Sequence, residues 1–252
     1  ADLGIESYTV KEFAEACAAK LGLPLDIVNV ADSSFDTEYP TQANFSGTES
    51  LREALNDVAE ITQTIYYINH DWALTFKRLD MNGEPALTIT KDKYFSLDSK
   101  TNRRLAAICH ATELGDNVQA SMSYSGTTQY IRNNPFWELR EDIDVLVNAA
   151  LDAVGGLTIN QFDCSWRGDF TLEIGDKIAL VTKDNNTVVS YVLNDTINYN
   201  GFLSERTKWK YTNSEEEDAA NASNIGDAIR QTYARVDKIN KQIDLVVSKS
   251  ED

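Results

Sequence analysis

The side chains of this sequence that could carry chemistry are few and widely scattered. The 252 residues include two histidines, His70 and His110, and three cysteines, Cys17, Cys109 and Cys164. A Ser-His-Asp device needs a base held against a nucleophile. His70 sits in the turn-like triplet Asn69-His70-Asp71 and His110 in an apolar run, with no nucleophile-elbow pattern beside either. His70 with Asp71 reads as a surface pair. A zinc site needs several converging His or Cys ligands, and the cysteines form no C-x-x-C. They read as reduced, mostly buried small hydrophobes in a chain made in a cytoplasm. Asp184-Asn185-Asn186 lacks the spacing and closing glutamate of a calcium loop and reads as a hairpin turn. There is no P-loop and no G-x-G-x-x-G. Forty acidic residues create chance carboxylate pairs for glycoside cleavage, but no motif nominates one. Trp72, Trp137, Trp166 and Trp209 are candidates for stacking on sugars. Trp137, in Pro135-Phe136-Trp137, reads better as a packing anchor before a helix. The expectation is therefore no catalytic residue, no metal ligand and no cofactor.

Charge narrows the partners. Forty acids against 23 bases leave a net charge of −17, which argues against binding nucleic acid through a basic patch. An acidic surface could still line a conduit through which DNA passes without sticking. No apolar run approaches the roughly 18 residues of a membrane span. Ala1-Asp2-Leu3-Gly4 is neither an initiator Met nor a signal peptide, so the chain reads as a piece of something longer. Residues 1–90 hold 15 acids and 5 bases, residues 91–212 hold 16 and 13, and the remainder 9 and 5. The shift near residue 90 suggests a boundary there.

The elements that must position these residues follow from local pattern. Thr9-Val10-Lys11-Glu12 and Ser50-Leu51-Arg52-Glu53 are capping boxes. The first opens a helix with Phe13, Ala16, Cys17 and Leu21 on one face and Gly22 as its stop; the second opens a helix carrying Leu51, Ala54, Leu55, Val58 and Ile61. Residues 65–68 and 72–78 form a hairpin about Asn69-His70-Asp71, and Asn82-Gly83 turns the chain into a strand at 86–90. Further on, 105–112 and 118–124 read as neighbouring strands and 140–154 as a helix stopped by Gly155-Gly156. Residues 177–182, 188–199 and 202–211 read as a meander. Closely spaced antiparallel strands suggest a small barrel or sandwich.

The last segment has a different period. After the acidic, small-residue stretch 214–223, Ile225, Ile229, Thr232, Val236, Ile239, Ile243 and Val246 repeat at alternating spacings of four and three. That is the a/d seam of a coiled coil over roughly three heptads. Every seam residue is β-branched, and β-branched residues at both a and d favour three strands over two. The seam predicts a homotrimer with these seven residues at its interface. The alternative is one amphipathic helix folded against its own domain.

Several stretches together resemble the hub proteins of phage tails, the tail-associated or "prophage endopeptidase tail" family. They are residues 9–21, Gly47-Thr48-Glu49-Ser50-Leu51-Arg52-Glu53-Ala54-Leu55, Ile65-Tyr66-Tyr67-Ile68 with Leu74-Thr75-Phe76-Lys77, Leu172-Glu173-Ile174-Gly175-Asp176-Lys177-Ile178, residues 194–202 and residues 231–243. The resemblance implies a virion tail protein assembled in a bacterial host, one that trimerises into a ring joining the tail tube to a spike or fibre. Its implied partners are the distal tail or tube protein, the spike or fibre and the tape measure, with DNA only in transit through the bore. It implies no catalytic residue, and a further barrel before residue 1. The expected fold is α+β. A small α+β domain (1–90) precedes an antiparallel, tube-like β-barrel domain with one helix (91–212), then an acidic linker and coiled-coil helix (213–252). A carbohydrate- or cell-surface-binding module and a peptidoglycan hydrolase are the competing expectations.

Overall fold

A computed structural model describes residues 7–40, 50–111, 117–132, 134–138, 140–199 and 203–209. The expected coiled-coil seam, Ile225 to Val246, and the acidic linker lie outside the described residues.

The first segment contains β1 (Ser7–Thr9), α1 (Val10–Leu21), β2 (Leu25–Val28), β3 (Glu38–Pro40), α2 (Leu51–Thr62), β4 (Ile65–Ile68), β5 (Leu74–Lys77) and β6 (Leu87–Ile89). Both capping boxes form. The Thr9 hydroxyl accepts from Glu12 N at 3.1 Å while Glu12 Oε2 accepts from Thr9 N at 2.8 Å; Ser50 and Glu53 repeat the pattern at 3.2 and 2.6 Å. Each box satisfies two donors that a helix start leaves without partners. Gly22 ends α1 in the left-handed region (φ 70°). The buried face of α1 is Val10, Ala14, Cys17 and Ala18, rotated from the expected one so that Phe13 is half-buried and Leu21 exposed. Strand β5 lies between β4, antiparallel, and β2, parallel. Its four side chains are all buried, as a central strand covered on both faces requires.

The remainder contains β7 (Tyr94–Ala111), β8 (Asn117–Ser121), β9 (Thr127–Arg132), α3 (Ile143–Val154), β10 (Thr158–Trp166), β11 (Lys177–Val181), β12 (Thr187–Tyr191), β13 (Asn194–Tyr199) and β14 (Leu203–Trp209). The long strand β7 organises it. Its first half pairs antiparallel with β10, and its second half pairs antiparallel with β8 and parallel with β9. The sheet order is β13-β14-β10-β7-β8, with β9 on β7. The expected meander is divided: β12 pairs with β11, but the chain changes sheets at Val192-Leu193, and β13 pairs with β14. Asn160 Nδ2 donates to Val189 O and Ser190 Oγ donates to Asn160 O, both at 2.6 Å, which ties β10 to β12.

The protein is thus α+β, dominated by sheets, with three helices among the described residues. No described sheet closes into a barrel; the six-stranded sheet ends at β13 and β8.

Several contacts join the first segment to the rest, among them a strand pairing and an aromatic cluster. Strand β6 pairs in parallel with β11, Leu87 opposite Ile178. Phe136, fully buried, sits among Tyr39, Phe13 and Tyr8, with ring centroids 5.1, 5.3 and 6.5 Å away. Asn134 holds this anchor: its Nδ2 donates to Asp57 O and Glu60 Oε2, and its Oδ1 accepts from Phe136 N. One continuous apolar core results.

Candidate functional site

Each residue weighed for chemistry can now be placed. All three cysteines are free and buried. Burial pushes the Cys17 thiol up to about 11 and Cys164 to about 12, which suppresses the thiolate a nucleophile needs. His110 is buried in β7, its ring edge-on to Trp137 at 5.8 Å and its Nδ1 without a partner. Burial lowers its pKa, so it sits neutral in the core. Among the described residues, no group of three or more His, Cys, Asp or Glu is placed to hold a metal ion, and no helix is long and apolar enough to cross a membrane. Asp184-Asn185-Asn186 is the β11–β12 hairpin turn, with Asn185 at φ 64°.

His70 does sit in the β4–β5 turn, but its partner is Glu173 rather than Asp71. His70 Nδ1 lies 3.2 Å from Glu173 Oε1, and His70 N donates to the same oxygen at 3.3 Å. The other carboxylate oxygen accepts from the Tyr67 hydroxyl at 3.1 Å. Burial, then the charge of Glu173, raises the Tyr67 pKa, so the phenol stays a donor. Asp176 completes the cluster: its Oδ2 accepts from Glu173 N at 2.9 Å and its Oδ1 from Lys77 Nζ at 2.5 Å. Gly175 lies between these acids at φ 82°, where a Cβ would stand 2.6 Å from Ile65 Cδ1. The loop therefore lies tightly on β4 and β5.

This clasp fixes a turn that presents an aromatic side chain. Asn69 Oδ1 accepts from Asp71 N and Ala73 N, forcing Trp72 to φ 58°. A left-handed tryptophan stores strain of order 1–3 kcal/mol. Its indole is 73% exposed, and Ile68 in the same hairpin is 42% exposed. Phe170, three residues before Glu173, is 61% exposed. Of the other tryptophans, Trp137 and Trp166 are buried in the core. Trp166 belongs to a second polar cluster, in which its Nε1 donates to Thr207 Oγ1 at 2.7 Å and Thr207 Oγ1 donates to the buried Glu205 at 3.2 Å.

The arrangement presents apolar knobs on braced loops and no assembled reaction centre among the described residues. The fold is shared with two solved tail proteins. It matches a tail protein from Neisseria meningitidis MC58 with a TM-score of 0.54 and 10% identity, covering 81% of this chain and 67% of that one. It likewise matches the 43 kDa tail protein of prophage MuSo2 from Shewanella oneidensis, TM-score 0.51 and 10% identity, covering 81% and 66%. The chain thus spans about two thirds of the length of these structures. No protein-family model and no curated protein matches the sequence.

Proposed function

We propose that this chain is a non-enzymatic structural component of a phage or prophage tail tip, a trimeric hub joining the tail tube to a spike or fibre. The observation that carries the reading is the tail-protein fold over 81% of the chain. The β-branched heptads support the oligomeric state. In this reading residues 91–212 form a tube-like barrel once assembled, residues 1–90 buttress it, and residues 213–252 supply the linker and the central bundle. Ile225, Ile229, Thr232, Val236, Ile239, Ile243 and Val246 are the proposed trimer interface. Each fully buried aliphatic seam residue contributes about 1.5–3 kcal/mol, so three chains pooling such seams offset the ordering of the segment.

The proposed location is the virion tail, with the tube protein, the spike or fibre and the tape measure as partners and DNA only in transit. The acidic balance suits a bore that must not bind DNA. The test is electron microscopy of the purified chain. Class averages with threefold symmetry and an open centre are expected, and averages without rotational symmetry contradict the proposal.

A second reading, recognition of cell-surface carbohydrate, is favoured by one observation, the exposed Trp72. It calls for glycan binding that disappears in Trp72→Ala. A hydrolase reading has no residue to support it.

A further inference from the structure

Two acids face each other at the edge of the six-stranded sheet. Asp195 lies opposite Thr207, and Glu205 lies two residues back along β14, so the two carboxyls are diagonal neighbours on the same face. Glu205 is 1% exposed. Its Oε2 accepts from Asp169 N at 2.7 Å and its Oε1 from the Thr207 hydroxyl at 3.2 Å. Asp195 faces Glu205 and Thr207, and its Oδ1 is buried without a partner. No described cation pairs with either acid: Arg206 lies on the opposite face, bonded to Asp163 at 2.6 and 2.9 Å. The remaining titratable groups nearby are the buried Cys164 thiol on β10, which takes up no positive charge, and the Asp169 carboxylate, turned away onto Thr171. A half-buried carboxylate against a buried one, without a cation, makes a second negative charge costly.

We propose that a proton held on Asp195 against Glu205 forms a latch that keeps the edge strand β13 on β14, and that loss of this proton releases the strand. The physical driver is mutual repulsion across a desolvated gap, acting on a strand that pairs on one side only among the described residues. Burial, then the charge of Glu205, raises the Asp195 carboxyl to about 8. A closed strand therefore holds a proton that an opened strand releases, and opening becomes easier as pH rises through that window. Release leaves the backbone donors and acceptors of β14 bare, a template for a strand from another chain. The inference is independent of the tail reading, since it needs only the two strands.

The test is hydrogen exchange on the intact chain, with intrinsic rates corrected, together with infrared spectroscopy. Protection of the β13 amides is expected to fall by up to about tenfold per pH unit as pH rises from about 4, the ordinary carboxylate value, levelling off near pH 8. Asp195→Asn is expected to abolish that dependence, and Glu205→Gln, which removes the neighbouring charge but not the burial, to narrow its range. A protonated-carboxyl C=O band present in the parent at about pH 6 is expected to vanish in Asp195→Asn and to weaken in Glu205→Gln. PH-independent protection of β13 in the parent, an unchanged pH dependence in Asp195→Asn, or a parent spectrum lacking the band each overturns the latch.

Discussion

Tyr67 and Glu173 stand 106 positions apart in the chain, and the hydroxyl of one donates to a carboxylate oxygen of the other at 3.1 Å. That bond closes the β4–β5 hairpin onto the loop before β11. Glu173 also takes the His70 N–H, so one side chain braces the turn that carries Trp72. Removing the carboxylate leaves the 7%-exposed Tyr67 without its acceptor. Glu173→Ala is expected to cost about 1–3 kcal/mol, measured as a shift of the denaturant midpoint at constant m-value. Glu173→Gln, which keeps an acceptor, is expected to cost less.

The same loop offers a steric test. Gly175 has φ 82° and no room for a methyl group beside Ile65 and Lys77. Gly175→Ala is expected to destabilise by about 1–3 kcal/mol through backbone strain and displacement of β4 side chains. A thermal melt unchanged from the parent would contradict the observed approach.

Trp72 carries strain and little burial. Trp72→Gly removes a left-handed penalty of about 1–3 kcal/mol and adds unfolded-state entropy worth about 1 kcal/mol, terms that oppose each other. A melting temperature within a few degrees of the parent is expected. The fluorescence lost in Trp72→Phe is expected to be red-shifted and readily quenched by acrylamide, because the indole stands in solvent. A blue, quencher-resistant difference would place Trp72 against another surface.

His110 sets an acid limit. Burial lowers its pKa below 6.5, against weaker opposing effects of the Ile131 backbone and Glu138. As pH falls below the ordinary value, the unfolded chain takes up a proton that the folded chain refuses, and stability declines until the folded pKa is passed. His110→Phe keeps the edge contact with Trp137 and removes the proton site. Its melting temperature is expected to fall less steeply than the parent's below about pH 6.5.

What the sequence disclosed was local. Thr9/Glu12 and Ser50/Glu53 are three residues apart, so both capping boxes are legible without any knowledge of the fold. Strand β10 is obscured because a register shift between Asn160 and Phe162 breaks its period-two alternation. The first half of β7 is too polar to stand out, and its partner β10 lies more than fifty residues away. The parallel β7–β9 pairing depends on tertiary register. His70 was legible as a turn residue, but Glu173 is a distant partner that spacing cannot reveal. The Asp195–Glu205 pair appears only once β13 and β14 are aligned.

The proposal of a threefold hub meets its most direct test in solution. Native mass spectrometry of the intact chain, with and without residues 224–252, is expected to give three times the 28.1 kDa chain mass for the first and a smaller assembly for the second. A single-chain mass for both, across the accessible concentration range, would contradict it.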